Sequence, residues 1–132
     1  MAKREEQALL YQFPDEQISA AQETCRRLGI RMKVLPVDAW REKVGYLLGR
    51  KGYRPAENKE SAPFAFPHRV LLLEYIQGKR LGQVLAALEA AGIPRVAFKS
   101  VITPYNTLWT LGYLCEHMAK EHGMASDREE QI

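Results

Sequence analysis

The feature that most constrains this chain is that its pattern of strands and helices is written twice. The stretch 8-ALLYQF-13 has a counterpart in 70-VLLLEY-75, 18-ISAAQETCRRLGI-30 in 81-LGQVLAALEAAGI-93, and 45-GYLL-48 in 112-GYLC-115. Order and approximate spacing agree, and such self-similarity narrows the available folds before any single residue is weighed. Each half reads strand, helix, strand, helix. In the first, Leu9, Tyr11 and Phe13 alternate with Ala8, Leu10 and Gln12 as a strand requires. Ile18, Ala21, Cys25 and Leu28 then recur at helical spacing up to Gly29, where a left-handed stop is expected. A strand over 31–37 leads to Asp38 as N-cap of a helix aligning Trp40, Val44, Leu47 and Leu48. The second half repeats this with a strand over 69–76, a helix striped by Leu81, Val84, Leu85 and Leu88 and closed by Gly92, and a strand over 95–102.

The implied organisation is a single domain over 1–132: repeat one at 7–50, a crossing loop at 51–68 pinned by Phe64 and Phe66, repeat two at 69–122, and a tail at 123–132 that frays for want of apolar periodicity. A chain of 132 residues buries a core without disulfide or metal staples. Hydrophobic residues at 46% and charged ones at 27% exclude a disordered class. The longest apolar runs, such as 70-VLLL-73, fall far short of the roughly 20 residues that span a bilayer. The start MAKREEQALLYQFPDE loses its apolar run to Gln12, Pro14 and Asp15 too soon for a secretory signal, so a cytoplasmic location is expected. Cys25 and Cys115 fall on apolar helix faces and read as reduced core thiols.

Two strand-helix-strand runs suggest an α+β, ferredoxin-like split βαβ sheet of four strands, with extra helices after strands two and four. The first strand of each half is then central. Lys33, Pro36 and Lys99 fit the second strands to the edges, where a proline or a lysine is tolerated. The competing arrangement is a doubly wound, fully parallel four-stranded sheet.

The C-terminal stretch 101-VITPYNTLWTLGYLCEHM-118 holds the most conspicuous residues. Thr103-Pro104 reads as an N-cap followed by proline at the first helical position, the Thr hydroxyl accepting from the N–H of Tyr105 or Asn106. Leu108, Leu111, Leu114, Cys115 and Met118 form a core stripe, and Tyr105, Trp109 and Tyr113 widen the apolar arc beyond what a one-sided helix needs. Such a helix touches a second surface: its sister elements, another subunit or a ligand. The stretch from Ser100 to Leu111, with Thr103, Asn106 and Trp109 at intervals of three, resembles the small bacterial proteins grouped as domain of unknown function family 3783, over about residues 67 to 118. The resemblance implies a bacterial, cytosolic protein, marks Thr103, Asn106 and Trp109 as the positions to watch, and brings no activity with it.

Other clusters carry less. Lys79 and Arg80 in 77-QGKRLG-82 sit at a helix start, where an anion is favoured and a cation is not, so an anion site is one reading and solvated charge the other. The segment is neither a Walker A loop nor a dinucleotide fingerprint. His117, Glu121 and His122 lack the spacing of a zinc helix, and no metal or cofactor motif and no catalytic set is found. The net charge of +3 is mild for a nucleic-acid binder, with Arg26, Arg27, Arg31 and Lys33 the residues such binding would use. The leading expectation is therefore a non-enzymatic regulatory or interaction module that self-associates. A protein or enzyme binding a small anionic metabolite or nucleotide through Lys79, Arg80, Thr103, Asn106 and Trp109 comes second, and weak nucleic-acid binding third.

Overall fold

Leu9 and Leu72 face each other at the middle of a four-stranded sheet, and the strand order unfolds outward from that pair. The computed structural model describes residues 5–57 and 64–130, with side chains over 5–57 and 64–122. Its elements are β1 (Gln7–Tyr11), α1 (Asp15–Leu28), β2 (Arg31–Leu35), a 3₁₀ turn at Ala39–Arg41, α2 (Val44–Leu47), β3 (Val70–Glu74), α3 (Lys79–Ala90), β4 (Phe98–Val101), a second 3₁₀ turn at Asn106–Leu108, and α4 (Leu111–Glu130). β1 pairs in parallel with β2 from Gln7↔Arg31 to Tyr11↔Leu35, and antiparallel with β3 from Gln7↔Glu74 to Tyr11↔Val70. β3 pairs in parallel with β4, giving the order β2-β1-β3-β4.

The mixed α+β class stands, as do the central places of β1 and β3 and the edge places of β2 and β4. The split order does not. α1 and α3 each join two neighbouring parallel strands, whereas a split βαβ would insert a strand between them. Apolar and polar composition distinguishes a central strand from an edge strand but is blind to which edge strand lies beside which central one. The fully parallel alternative is excluded by the antiparallel β1–β3 ladder.

Contacts gather the chain into two units, Met1–Val37 with His68–Ile102, and Asp38–Pro67 with Thr103–Ile132. Each unit takes its parts from both sequence halves. In the first, α1 and α3 lay Ala21, Cys25, Val84 and Leu88 on Ala8, Leu10, Leu71 and Leu73 of the central strands. Each fully buried Leu of this kind contributes about 1.5–3 kcal/mol. α1 begins after Pro14, carries Asp15 and Glu16 in its first turn and Arg26 and Arg27 in its last, matching the helix dipole at both ends. Its end is a double hydrogen-bonded left-handed turn: Gly29 has φ 73°, its N–H donates to Arg26 O, and the Ile30 N–H donates to Cys25 O at 2.8 Å. The α3 end is built alike, with Gly92 at φ 92° and the Ile93 N–H donating to Leu88 O. Ile30 and Ile93 are both buried, the apolar contact that usually accompanies this turn.

The second unit closes on a short antiparallel bridge, Lys43↔Thr110, in which the Val44 N–H donates to Trp109 O and the Leu111 N–H to Glu42 O, each at 2.9 Å. Around it the partners are exchanged: α4 packs on the turn at Ala39–Arg41 and α2 on the turn at Asn106–Leu108. Two expected helices are thereby cut short. Asp38 stands before a 3₁₀ turn without a side-chain capping bond, and Thr103 caps a 3₁₀ turn, not α4. α4 starts at Leu111, where the Thr110 hydroxyl accepts from the Tyr113 N–H at 3.1 Å. At its other end the helix reaches Glu130, past residue 122 where apolar periodicity stops, because periodicity reports packing and not helix length. In the crossing segment Phe66 is buried and Phe64 stacks on Trp40 at 5.2 Å between ring centroids.

Candidate functional site

Thr103 and Asn106 form a reciprocal cap. The Thr103 N–H donates to Asn106 Oδ1 at 2.9 Å, and the Asn106 N–H donates to Thr103 Oγ1 at 3.2 Å. This is the geometry of a capping box with Asn in place of Glu or Gln, and it holds two backbone donors that would otherwise be orphaned. The Thr107 hydroxyl donates to Pro104 O at 2.8 Å. Asn106 and Thr107 are buried, so the turn is anchored from below by its polar residues. Its apolar ones point the other way: Tyr105 is 79% exposed and Leu108 62%.

Leu108 is thus misplaced by a reading that runs one helix from Thr103 to Met118. The chain turns extended at Trp109, at φ −83° and ψ 150°, before α4 begins, which resets the helical phase. Leu111, Leu114 and Cys115 are buried as expected. Beyond the break, Trp109 meets Tyr113 edge-on at 4.9 Å and His117 at 5.3 Å, and His117 Nε2 lies 3.2 Å from Glu121 Oε1. Tyr113 is 52% exposed. Thr103, Asn106 and Trp109 therefore share a role: the first two shape a turn whose far end presents Trp109 to an aromatic ladder on the first two turns of α4.

The remaining candidates belong to the first unit. Arg80 spends four of its five N–H groups inside the fold: on both oxygens of Glu6 at 2.8 Å, on Leu28 O at 2.6 Å and on Gln83. Hydrogen bonding to the Glu6 carboxylate, opposed by burial, raises its pKa further above the ordinary guanidinium value. Arg80 thereby ties α3 to the strand entering β1 and to the end of α1. Lys79 is exposed at the first residue of α3. Of the basic set, Arg26 pairs with Glu23 at 2.6 Å and Arg31 with Glu5 at 3.3 Å, while Arg27 and Lys33 are exposed. Carboxylates so close offset part of the positive field that a nucleic acid would meet.

Both cysteines are free and buried. Burial raises the Cys25 pKa, and burial together with the neighbouring Glu116 pushes Cys115 up to about 12, so neither thiol is poised as a nucleophile. Among the described residues no group of three His, Cys, Asp or Glu could hold a metal ion, and no helix is long and apolar enough to cross a membrane.

Fold and site together define a small α+β protein with a four-stranded mixed sheet and an exposed aromatic turn-and-helix surface. Residues 69–124 match the family described as Domain of unknown function (DUF3783). The resemblance seen in the stretch from Ser100 to Leu111 is upheld over β3, α3, β4, the second 3₁₀ turn and most of the helical part of α4. No curated protein and no solved structure gives a significant match.

Proposed function

We propose that this protein is a non-enzymatic interaction module that associates with a second copy of itself through the turn at Asn106–Leu108 and the start of α4. The observation that carries the reading is the aromatic ladder Trp109–Tyr113–His117, flanked by exposed Tyr105 and Leu108. Large aromatic side chains presented on a rigid, capped support are what a binding hot spot requires, because little side-chain entropy is left to lose. The surrounding face carries both signs of charge, with Glu116, Lys120 and Glu121 exposed, so a two-fold copy can meet it with opposite charges in register. The reading extends to the history and setting of the chain. The two halves descend from one duplicated βαβα unit, and the protein works in the bacterial cytosol.

Sedimentation velocity from about 1 to about 200 µM, a span covering weak to moderate self-affinity, tests the association. The expected result is a monomer–dimer shift in the wild type and a monomer throughout for Tyr113→Asp with unchanged circular dichroism. A monomer at every concentration, or a dimer untouched by Tyr113→Asp and Leu108→Asp, contradicts it.

A further inference from the structure

The second unit also contains an open cleft of about 650 Å³, within the size range of metabolite sites. Its walls bring together Arg41 and Lys43 from the segment before α2, Tyr53 and Arg54 from the crossing segment, and Thr110 from the cap of α4. One carboxylate, Glu57, shares the lining with these three cations. The other nearby acid is already occupied: both oxygens of Glu42 accept from the Ala56 N–H, at 2.9 and 3.2 Å, which fixes the wall that carries Arg54.

None of Arg41, Lys43 and Arg54 forms an ion pair among the described residues. Arg41 Nε is fully buried and has no hydrogen-bond partner, while its guanidinium lies 5.2 Å from the centre of the Trp40 ring. A buried donor without an acceptor is a standing cost, so Arg41 is held at the cleft wall by the Trp40 face and not by a carboxylate. Three like charges around one recess are likewise unfavourable until an anion neutralises them. The Thr110 hydroxyl accepts from the Tyr113 N–H and keeps its own proton to donate. The Tyr53 ring, seated against Gly45, supplies a flat apolar wall beside Leu108.

We infer that this cleft binds a small metabolite bearing a di- or polyphosphate group. Arg41 and Arg54 bind it as forks and Lys43 as a point charge, while Tyr53 and Leu108 pack against its less polar part. The site is distinct from Lys79 and Arg80, and it shares only Leu108 with the self-associating face, since none of Tyr105, Trp109, Tyr113 and His117 lines it.

Thermal unfolding and titration calorimetry at low salt, with inorganic pyrophosphate and ADP as separate probes, test this. A response to both assigns the phosphate chain as the recognised group, and a response to ADP alone adds the nucleoside; either supports the site. Arg54→Ala and Lys43→Ala, both at exposed positions that leave folding intact, are each expected to weaken binding at least about tenfold, as the loss of a charge-assisted contact does. Lys79→Ala is expected to bind as the wild type. No response to either probe at about 10 mM, a concentration at which even millimolar affinity registers, would overturn the inference. So would equal binding by Arg54→Ala and the wild type, or binding of a single-stranded oligonucleotide alone.

Discussion

Single side chains settle how much of this surface is scaffold. Thr103 was legible in the sequence as a cap, because a Thr-Pro start has a local physical meaning that needs no tertiary partner, whereas the return bond from the Thr103 N–H to Asn106 Oδ1 appears only in the structure. Replacing Thr103 by Ala is expected to cost about 1 kcal/mol, the usual worth of a cap, and Asn106→Ala more because its buried amide leaves the Thr103 N–H without an acceptor. Urea denaturation measures both, and equal, negligible losses would contradict the capping account. Sequence alone leaves Arg80 looking like an anion site or solvated charge, because its partners, Glu6 and the Leu28 carbonyl, are far away along the chain. Arg80→Ala should therefore lower the melting temperature more than Arg26→Ala, whose pair with Glu23 is mostly exposed. Cys115 sets a pH dependence of defined sign. Its folded pKa, about 12, lies above the ordinary thiol value of 9.0, so the native state holds the thiol proton more tightly than the unfolded chain. The stability this contributes is complete below pH 9 and is lost as pH rises toward 12. Cys25 acts in the same direction, since burial raises it too. A Cys115→Ala variant, less stable at neutral pH, should lose less stability than the wild type over the same alkaline range, and parallel losses would contradict the assignment.

At the scale of elements, two glycines without positive φ separate packing from propensity. A Cβ at Gly45 of α2 would collide with the Tyr53 ring, so Gly45→Ala should destabilise by about 1–3 kcal/mol, the usual cost of overpacking. A Cβ at Gly82 of α3 meets nothing within 4 Å, so Gly82→Ala should stabilise by about 0.5–1 kcal/mol through the helix preference of alanine. Opposite signs in chemical denaturation are the expected outcome, and two changes of the same sign would refute this reading of the contacts. The ends of α1 and α3 were legible because Gly29-Ile30 and Gly92-Ile93 encode their stops locally. The break before α4 was not, because Leu108, Leu111, Leu114, Cys115 and Met118 keep helical spacing straight through it. What stops the helix from starting at Thr103 is the bridge between Lys43 and Thr110, a backbone pairing between distant segments that no local spacing announces. The one available hint was the match of 45-GYLL-48 with 112-GYLC-115, which sets Thr110 against Lys43 in the two halves.

Across the whole molecule, matched features recur at two constant intervals. One separates Gln12 from Tyr75, both non-glycine residues at positive φ, and also Gly29 from Gly92. The other separates the turn at Ala39–Arg41 from that at Asn106–Leu108, and Gly45 from Gly112. The first interval pairs β1 with β3 one residue later than the alignment of 8-ALLYQF-13 with 70-VLLLEY-75. Strand centrality was readable because burial on both faces demands a run such as Val70 to Leu73, whereas the neighbours of each strand were not. The cleft of Arg41, Lys43 and Arg54 was equally unreadable, because only folding gathers residues from separate segments. The two thiols, one in each unit, report on the opening of each: both should resist a thiol reagent in native buffer and react at rates set by unfolding of Cys25 or Cys115 surroundings. Rapid labelling of either under native conditions would contradict its burial. The claim that matters most is that the face built on Tyr105, Leu108, Trp109 and Tyr113 meets a second copy. Hydrogen–deuterium exchange of dilute and concentrated protein reads this most directly. Added protection at high concentration should map to residues 105–117 and vanish in Tyr113→Asp; identical exchange at both concentrations, or protection confined to the β2 edge, would contradict it.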